Sequence, residues 1–497
     1  MSVKSVLSLP FARLTRSRIR AWNKDSLHNQ EVLLLKLLKK GSDTAFGKDY
    51  HFNEIQTYDD FKYRVPINDY EDLRPYMERI KSGEKNILWP GQPLYLSKTS
   101  GTTSGIKYIN ITRESISCQI SGARNALLMY IAETGNSKFV DGNMIFLSGS
   151  PELEKISGIS TGRLSGIVNH HIPGYLRRNQ MPSFETNCIE DWEEKVDKIV
   201  EETFNKNMTL VSGIPPWVQM YFDRLINKTG KKVKELFPNF TVFVHGGVNY
   251  EPYKSKLNTS IGGEVDAIEV YPASEGFIAF QDTRTEEGLL LMLESGIYYE
   301  FIPASEYFTP NPPRLNLSEV ELGVNYAIIL TTNAGLWAYS LGDTVRFTSL
   351  DPHRIVVTGR VKHFISAFGE HVIAEEVDRA VIEACRLTGA EIVELTVAPQ
   401  VSPSSGLPYH EWFIEFSRLP SDLQHFTQKL EEEMQRQNIY YRDLIAGKVL
   451  QSLKVIQLKP DAFISYMRGI GKLGGQNKMP RLANDRKIAV DLIKFAI

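Results

Sequence analysis

The stretch Ser97-Lys98-Thr99-Ser100-Gly101-Thr102-Thr103-Ser104-Gly105-Ile106-Lys107 concentrates hydroxyl groups and glycine. Six of the nine residues from Ser97 to Gly105 are Ser or Thr, enough for hydroxyls and backbone N–H groups together to wrap a polyanion. Gly101 and Gly105 let the backbone approach such a ligand closely, and a lysine adds charge. This is not a Walker A loop, because G-x-x-x-x-G-K-[ST] does not occur in the chain. Taken alone, the composition also suits a surface turn rich in Ser and Thr. Its position argues for binding. It follows the apolar Leu94–Leu96 and precedes the strand-like Tyr108–Ile111, where a simple turn needs far fewer hydroxyls.

Two further polar clusters lie downstream. Val270-Tyr271-Pro272-Ala273-Ser274-Glu275-Gly276 closes an apolar run with an aromatic ring, a hydroxyl and a carboxylate. At the C-terminal edge of a strand these could stack on a base, contact a phosphate and hold a hard cation. The plain alternative is a strand end with a solvated glutamate. In Leu336–Phe347, Asp343 follows Gly342 between two apolar runs. A carboxylate there could accept both hydroxyls of a ribose, or Gly-Asp could simply form a hairpin turn. Gly359-Arg360 comes next, and Arg360 is either a fixed cation for a phosphate or a surface arginine in a linker.

Other motifs compete poorly. Gly158-Ile159-Ser160-Thr161-Gly162 matches the G-x-S-x-G elbow of serine hydrolases, but no apolar strand precedes it. His170-His171 lacks metal-ligand spacing, and two adjacent histidines point apart in most structures. No G-x-G-x-x-G occurs, which removes the main nicotinamide or flavin signal. Lys and Arg number 57 against 59 Asp and Glu, so near-neutral charge gives no case for nucleic acid. The three cysteines, Cys118, Cys188 and Cys385, are far apart, which disfavours a disulfide framework and fits a reducing, cytoplasmic setting. A hydrophobic fraction of 42% excludes a disordered chain.

The elements that must position these clusters can be read from periodicity. The first 24 residues are basic and free of acids. They are expected to form an amphipathic helix packed on the body through Leu7, Leu9, Phe11, Leu14 and Ile19, in preference to a transit peptide or secretion signal. Helices are predicted over Leu27–Lys40, with Gly41 as cap, and over Tyr70–Ile80, capped by Asn68 or Asp69. Further helices are predicted over Ile189–Lys206, Trp217–Asn227, Ala374–Arg386 and Ser421–Gln437. Short apolar runs at Ile145–Leu147, Leu210–Val211, Val242–Val244 and Ile268–Tyr271 each lead into small polar residues. That pattern predicts parallel strands whose C-terminal edges face a cleft. The section 288–347 is instead rich in strands and poor in helices, which predicts an antiparallel or barrel-like unit. A domain boundary is placed at residue 358. No stretch approaches the length a membrane helix needs.

The order of the clusters resembles the adenylate-forming superfamily of acyl-CoA synthetases, peptide-synthetase adenylation domains and luciferases. The nearer resemblance is to the auxin-responsive promoter (Gretchen Hagen) family of acyl acid–amido synthetases. It rests on Thr99 to Gly105, Tyr271 to Glu275, Tyr339 to Asp343, and Gly475-Gln476-Asn477-Lys478-Met479-Pro480-Arg481. Family-like segments also occur at Phe46–Tyr50, Val65–Tyr70 and Tyr299–Pro303. Ser340 stands where the family usually has Arg, and Ala273 where plant members often have Ser.

The resemblance implies an α/β fold of adenylate-forming architecture. Residues 1–358 would bind ATP and the acyl acid, using β-α-β sheets and a barrel-like β unit. Residues 359–497 would form a small mobile α+β lid that rotates near Arg360–Lys362. It implies that a carboxylic acid is activated as an acyl-adenylate and passed to an amino acid amine, with acyl-CoA ligation as the alternative outcome. Thr99, Ser100, Gly101, Thr102, Thr103, Ser104 and Gly105 would hold the β- and γ-phosphates, and Ser274 would touch the α-phosphate. Glu275 would bind Mg²⁺, Tyr271 and the backbone of Gly246 and Gly247 would receive adenine, and Asp343 with Arg360 would hold the ribose. Lys478 would stabilise the transition state, with Lys472 as the rival. The expected partners are small molecules, with neither nucleic acid nor stable membrane insertion. Arg124, Met129 and Tyr130 are candidate acyl contacts, though core packing is the expectation for each.

Overall fold

A computed structural model describes residues 3–497 except 101–105, 173, 362–369, 371, 448, 475–476 and 484. The chain falls into two compact units. The first comprises Met1–Gly213, Phe237–Gly247 and Val265–Val356; the second comprises Ile214–Leu236, Val248–Glu264 and Val357–Ile497.

The first unit is organised by a long mixed sheet. Gln180–Met181, Asn143–Phe146, Met208–Ser212, Val242–Gly246 and Asp266–Pro272 are neighbours in that order, and all pair in parallel. All but Gln180–Met181 overlap the short apolar runs predicted as parallel strands. Met208–Ser212 and Val242–Gly246 are buried through their first four residues, as strands covered on both faces must be. The sheet then turns antiparallel through Phe277–Phe280, Leu289–Leu291 and His353–Arg360, and the hairpin pairs Ile297–Pro303/Asn325–Thr332 and Asn325–Thr332/Tyr339–Leu350 follow. The strand-rich section is thus antiparallel, as its composition predicts, and it continues the parallel sheet edge to edge.

A separate four-stranded sheet carries the hydroxyl-rich stretch. Tyr95–Ser100 pairs antiparallel with Ile106–Ile111 and parallel with Ile159–Arg163. Ser160 therefore lies within a strand of the hairpin Glu154–Ile156/Ile159–Arg163, turned at Ser157-Gly158, and not on a strand-to-helix elbow.

Helix boundaries follow local chemistry. Tyr70–Lys81 begins where the Asp69 carboxylate accepts from Glu71 N and Asp72 N. The long helix predicted from Ile189 starts at Trp192 because Asp191 caps it by accepting from Glu194 N. Ser26–Gly41 includes Gly41 as its last residue, so Gly41 is not the cap. A Cβ there would meet the Trp337 ring at 2.5 Å, so the glycine makes room for an indole.

The N-terminal helix, Val3–Lys24, is where expectation and structure part. It packs on Arg113–Thr134 through Ser5, Ala12, Thr15 and Ile19, all buried. Of the residues expected inward, Ile19 is buried and Leu9 packs partly buried against the core, while Leu7, Phe11 and Leu14 are exposed. The small Ser5, Ala12 and Thr15 share the packed face with Ile19, and Leu7, Phe11 and Leu14 are left on the far side.

The second unit contains a three-stranded sheet. Glu391–Gln400 pairs antiparallel with Tyr409–Arg418, which pairs in parallel with Lys454–Leu458. Helices Ala374–Thr388 and Leu423–Gln437 pack together over its core of Leu395, Trp412, Phe426 and Leu430. Helices Pro215–Thr229 and Glu251–Ile261 also belong to this unit.

Candidate active site

The C-terminal ends of the parallel strands lie along one edge of the first unit's sheet. Their registers pair Phe146 with Ser212, Ser212 with Val244, and Gly246 with Val270. Tyr271 to Glu275 leave the sheet at this edge, the usual ligand-binding position in such folds.

Asp343 reaches that edge by a backbone device. Tyr339–Leu350 pairs with Asn325–Thr332, but the register shifts between Ala327 and Ile329, so extra residues around Gly342 bulge from the strand. Gly342 has φ +81°, a conformation that glycine adopts without a steric penalty. The Gly-Asp pair is therefore a bulge, not a hairpin turn, and bulges re-aim side chains. Here the Tyr271 hydroxyl donates to Asp343 Oδ2 at 2.6 Å. Two residues 72 positions apart meet, with Tyr271 buried and Asp343 half-buried. A carboxylate oriented by a phenol in this way can accept paired hydroxyls with its remaining lone pairs.

The second convergence joins the hydroxyl-rich strand to the Ser-Glu turn. Ser97 Oγ lies 3.1 Å from Ser274 Oγ. The turn is closed by Ala273 N to Gly276 O at 2.9 Å and anchored by Gln119 Nε2, which donates to Ala273 O at 2.7 Å. Ala273 contributes its carbonyl to this anchor. Glu275 beside it is half-buried. Thr99 lies on the same strand as Ser97. Gly101, Thr102, Thr103, Ser104 and Gly105 lie outside the described residues, as does the Ser100 side chain.

Gly246 is glycine for a packing reason: a Cβ would lie 2.1 Å from Val270 O, so the strand beside Tyr271 requires a bare backbone. Gly247 follows with φ +87°, where the chain leaves the sheet. Ser340, in place of the family arginine, is buried and lies 2.7 Å from the Tyr307 hydroxyl.

Arg360 and Lys478 belong to the second unit, and both are exposed. Lys478 precedes a segment pinned to Glu391–Gln400: Thr396 Oγ1 donates to Pro480 O at 2.8 Å, and Val397 N to Arg481 O at 3.0 Å. Lys472 lies instead in the turn after helix Ala462–Gly469, with its amide on Met467 O. Lys362, Gly475 and Gln476 lie outside the described residues.

Two polar centres escaped the sequence reading. Arg481 reaches Asp378 Oδ1 with Nε at 2.7 Å, Glu394 Oε1 with Nη1 at 3.0 Å and the Tyr253 hydroxyl with Nη2 at 3.2 Å. Tyr253 in turn donates to Glu394 at 2.8 Å, and Asn249 Nδ2 to Asp378 Oδ2 at 3.0 Å. Desolvation pushes both carboxyl groups up, against the pull of the guanidinium. The second centre is Lys195, buried, which donates to Ser148 O at 3.0 Å and Asn187 O at 2.6 Å. Burial pushes its ammonium down to about 8. It stands at apolar spacing with Trp192, Val196 and Ile199, the one signal that could have marked it.

His170 Nε2 contacts Pro151 O at 2.7 Å while His171 Nε2 contacts the Tyr95 hydroxyl at 3.0 Å. Met129 and Tyr130 are core residues, and Arg124 is exposed. Among the described residues no group of three or more His, Cys, Asp or Glu side chains gathers as a metal site. Glu275 is a single hard oxygen ligand, the donor type that Mg²⁺ takes alongside substrate phosphates. Among the described residues no helix is long and apolar enough to cross a membrane.

Comparison with known proteins gives one answer. Models for the GH3 family N-terminal, central and C-terminal domains match residues 15–187, 290–360 and 375–487. A jasmonoyl–L-amino acid synthetase of Nicotiana attenuata is 24% identical over 65% of this chain and 67% of its own length. An indole-3-acetic acid-amido synthetase of Arabidopsis thaliana is 21% identical over 91% of this chain and 88% of its own. Among solved structures, a GH3.15 acyl acid amido synthetase superposes with a TM-score of 0.78 at 17% identity, covering 95% of both chains. A 2-hydroxyisobutyryl-CoA ligase, with a TM-score of 0.60 and 13% identity over 95% of this chain and 91% of its own, shares the fold. The family read from the four ordered motifs is the family found, and with all three of its domain models matched in order, this chain is a member of the GH3 family.

Proposed function

We propose that this chain is an ATP-dependent acyl acid–amido synthetase. A carboxylate oxygen attacks the α-phosphorus of ATP, the bond to the bridging oxygen breaks, and pyrophosphate leaves. The nitrogen of an amino acid then attacks the acyl carbon, loses a proton and expels AMP. The observation that carries this reading is the Tyr271–Asp343 pair at 2.6 Å, set one turn from Ser274 and Glu275 at a parallel-sheet edge. A diol acceptor beside phosphate-directed hydroxyls suits a nucleotide whose α-phosphate is the reacting centre.

In this reading Asp343, oriented by Tyr271, accepts the ribose hydroxyls, and Arg360 adds a cation. Tyr271 and the bare backbone at Gly246 and Gly247 receive the adenine. Ser274, held against Ser97, donates to the α-phosphate. Thr99 to Gly105 enclose the β- and γ-phosphates. Lys478, carried by residues 359–497 as the mobile lid, offsets the charge that grows when an anion meets a polyanion. The hydrogen bonds that hold the adjoining Pro480 and Arg481 to Thr396 and Val397 favour it over Lys472. Glu275 would hold Mg²⁺ with the phosphates, and the ion would supply further charge neutralisation there. Residues 1–358 form the ATP- and acid-binding domain, and the enzyme works in the cytoplasm on small molecules.

The test is ATP–pyrophosphate exchange over a panel of carboxylic acids, followed by mass spectrometry of products formed with amino acids or coenzyme A. Acid-dependent exchange with an amide product is expected. Exchange that ends only in a thioester would make the protein a CoA ligase, and no exchange with any acid would remove the adenylation reading.

A further inference from the structure

We propose that the N-terminal helix, Val3–Lys24, docks the protein on an anionic lipid surface. The helix packs through Ser5, Ala12, Thr15 and Ile19, with Leu9 and Trp22 partly buried, and turns Leu7, Phe11 and Leu14 outward. Ser5, Ala12, Thr15 and Ile19 are buried, Ser5 Oγ donates to Asp141 Oδ2 at 3.0 Å, and Arg16 Nη1 donates to Ala132 O at 2.9 Å. Leu7, Phe11 and Leu14 stand outward with relative exposures of 61%, 47% and 67%.

These three recur at i, i+4 and i+7, so they form one stripe along the helix. Pro10 and Ala21, also exposed, extend it. Beside the stripe runs a second one, Arg13, Arg20 and Lys24, at i, i+7 and i+11, and all three are exposed. Arg124, exposed on the helix below, places its guanidinium 5.9 Å from the Phe11 ring. Arg18, also exposed, pairs with Glu294 at 3.1 Å, so its charge is partly offset. No acidic residue occurs before Asp25.

An apolar stripe flanked by cations is the pattern of a helix lying in a membrane interface. Its hydrocarbon side chains enter the acyl boundary while its cations meet headgroup phosphates. Core packing does not explain the stripe, since the helix is already held by its other face. Charge decides between occupants. A second copy of this chain bound through the same face would set Arg13, Arg20 and Lys24 against their own counterparts, a like-charge contact that opposes pairing. An anionic bilayer satisfies both stripes at once.

The test uses the full chain with vesicles of phosphatidylcholine alone or with phosphatidylserine, read by co-sedimentation at low and high salt. Partitioning to the phosphatidylserine vesicles is expected, and it should weaken with salt. Arg13→Glu with Arg20→Glu should lower it on the order of thirtyfold or more, from the usual worth of a basic side chain near such a surface. Leu7→Ser with Leu14→Ser should lower it at least about tenfold, from lost apolar burial. Thermal unfolding midpoints unchanged in both variants would show that folding is intact. Equal binding of wild type to both vesicle types, no binding, or unaltered binding of the variants would overturn the proposal. So would a dimer in sedimentation velocity that Leu14→Glu dissociates, because the face would then belong to a second copy. None of these readouts depends on the catalytic reading.

Discussion

The two units each gather polar residues from distant parts of the chain, yet they use them oppositely. In the first, Tyr271–Asp343 and Ser97–Ser274 are contacts at a sheet edge, each joining a buried residue to a half-buried one and built on a bulge and a turn. In the second, Arg481 with Asp378, Glu394, Tyr253 and Asn249 forms a dense, largely buried network whose members hydrogen-bond one another. A site for a ligand keeps acceptor capacity in reach of solvent and accepts modest stability in return. A structural network closes on itself, because a charge left unpaired in the interior is costly. The difference teaches that buried charge density is a poor guide to the chemistry of this protein.

Substitution should separate the two regions. Arg481→Met leaves two carboxyl groups buried without their cation and should cost about 3–5 kcal/mol in urea unfolding of the second unit. A cost below about 1 kcal/mol would show the network to be solvated and the contrast false. Lys478→Ala, three residues away, should cut ATP–pyrophosphate exchange roughly a hundredfold to thousandfold while leaving the unfolding curve in place. Lys472→Ala should stay near wild type; the opposite ranking would transfer the role. Asp343→Ala should raise the KM for ATP about tenfold or more, and that of the acid far less, without shifting the thermal midpoint. Equal weakening of both substrates would contradict the ribose assignment.

Acid–base behaviour sharpens the same contrast. Asp378 and Glu394 hold protons more tightly folded than unfolded, because desolvation raises both. The contribution of these two groups to stability is therefore greatest below the ordinary carboxyl range and falls as pH climbs from there through the raised folded values. Asp378→Asn should reduce that slope in pH-dependent unfolding. Lys195 in the first unit behaves inversely. Its ammonium, pushed down to about 8 from 10.5, is released in the folded state first, so stability rises as pH climbs between those values. Lys195→Met should flatten this rise.

Much of the fold was legible because burial imposes periodicity. The parallel strands announced themselves as apolar runs ending in small polar residues, and Asp69 marked its helix start by capping chemistry. The candidate site was legible as residue types in order, and its pairing was not. Nothing in the spacing of Tyr271 and Asp343 says that a bulge at Gly342 turns one toward the other. Nor does the sequence say that Gly41 serves the Trp337 ring, or that Gly246 serves the backbone of Val270. The N-terminal helix misled for a physical reason. Apolar residues at helical spacing define a face, but which face packs depends on what the neighbouring helix can accommodate, and here the face with Ser5, Ala12, Thr15 and Ile19 is the one that packs.

The sequence by itself determined the family, the strand and helix types and the inventory of hydroxyls, carboxylates and cations, since those follow from local propensity and from motif order. Only the tertiary structure decided which of them meet. The Ser97–Ser274 contact, the aim of Asp343 and the closure of the Arg481 network each depend on chain segments brought together by packing, and local sequence does not encode those distances.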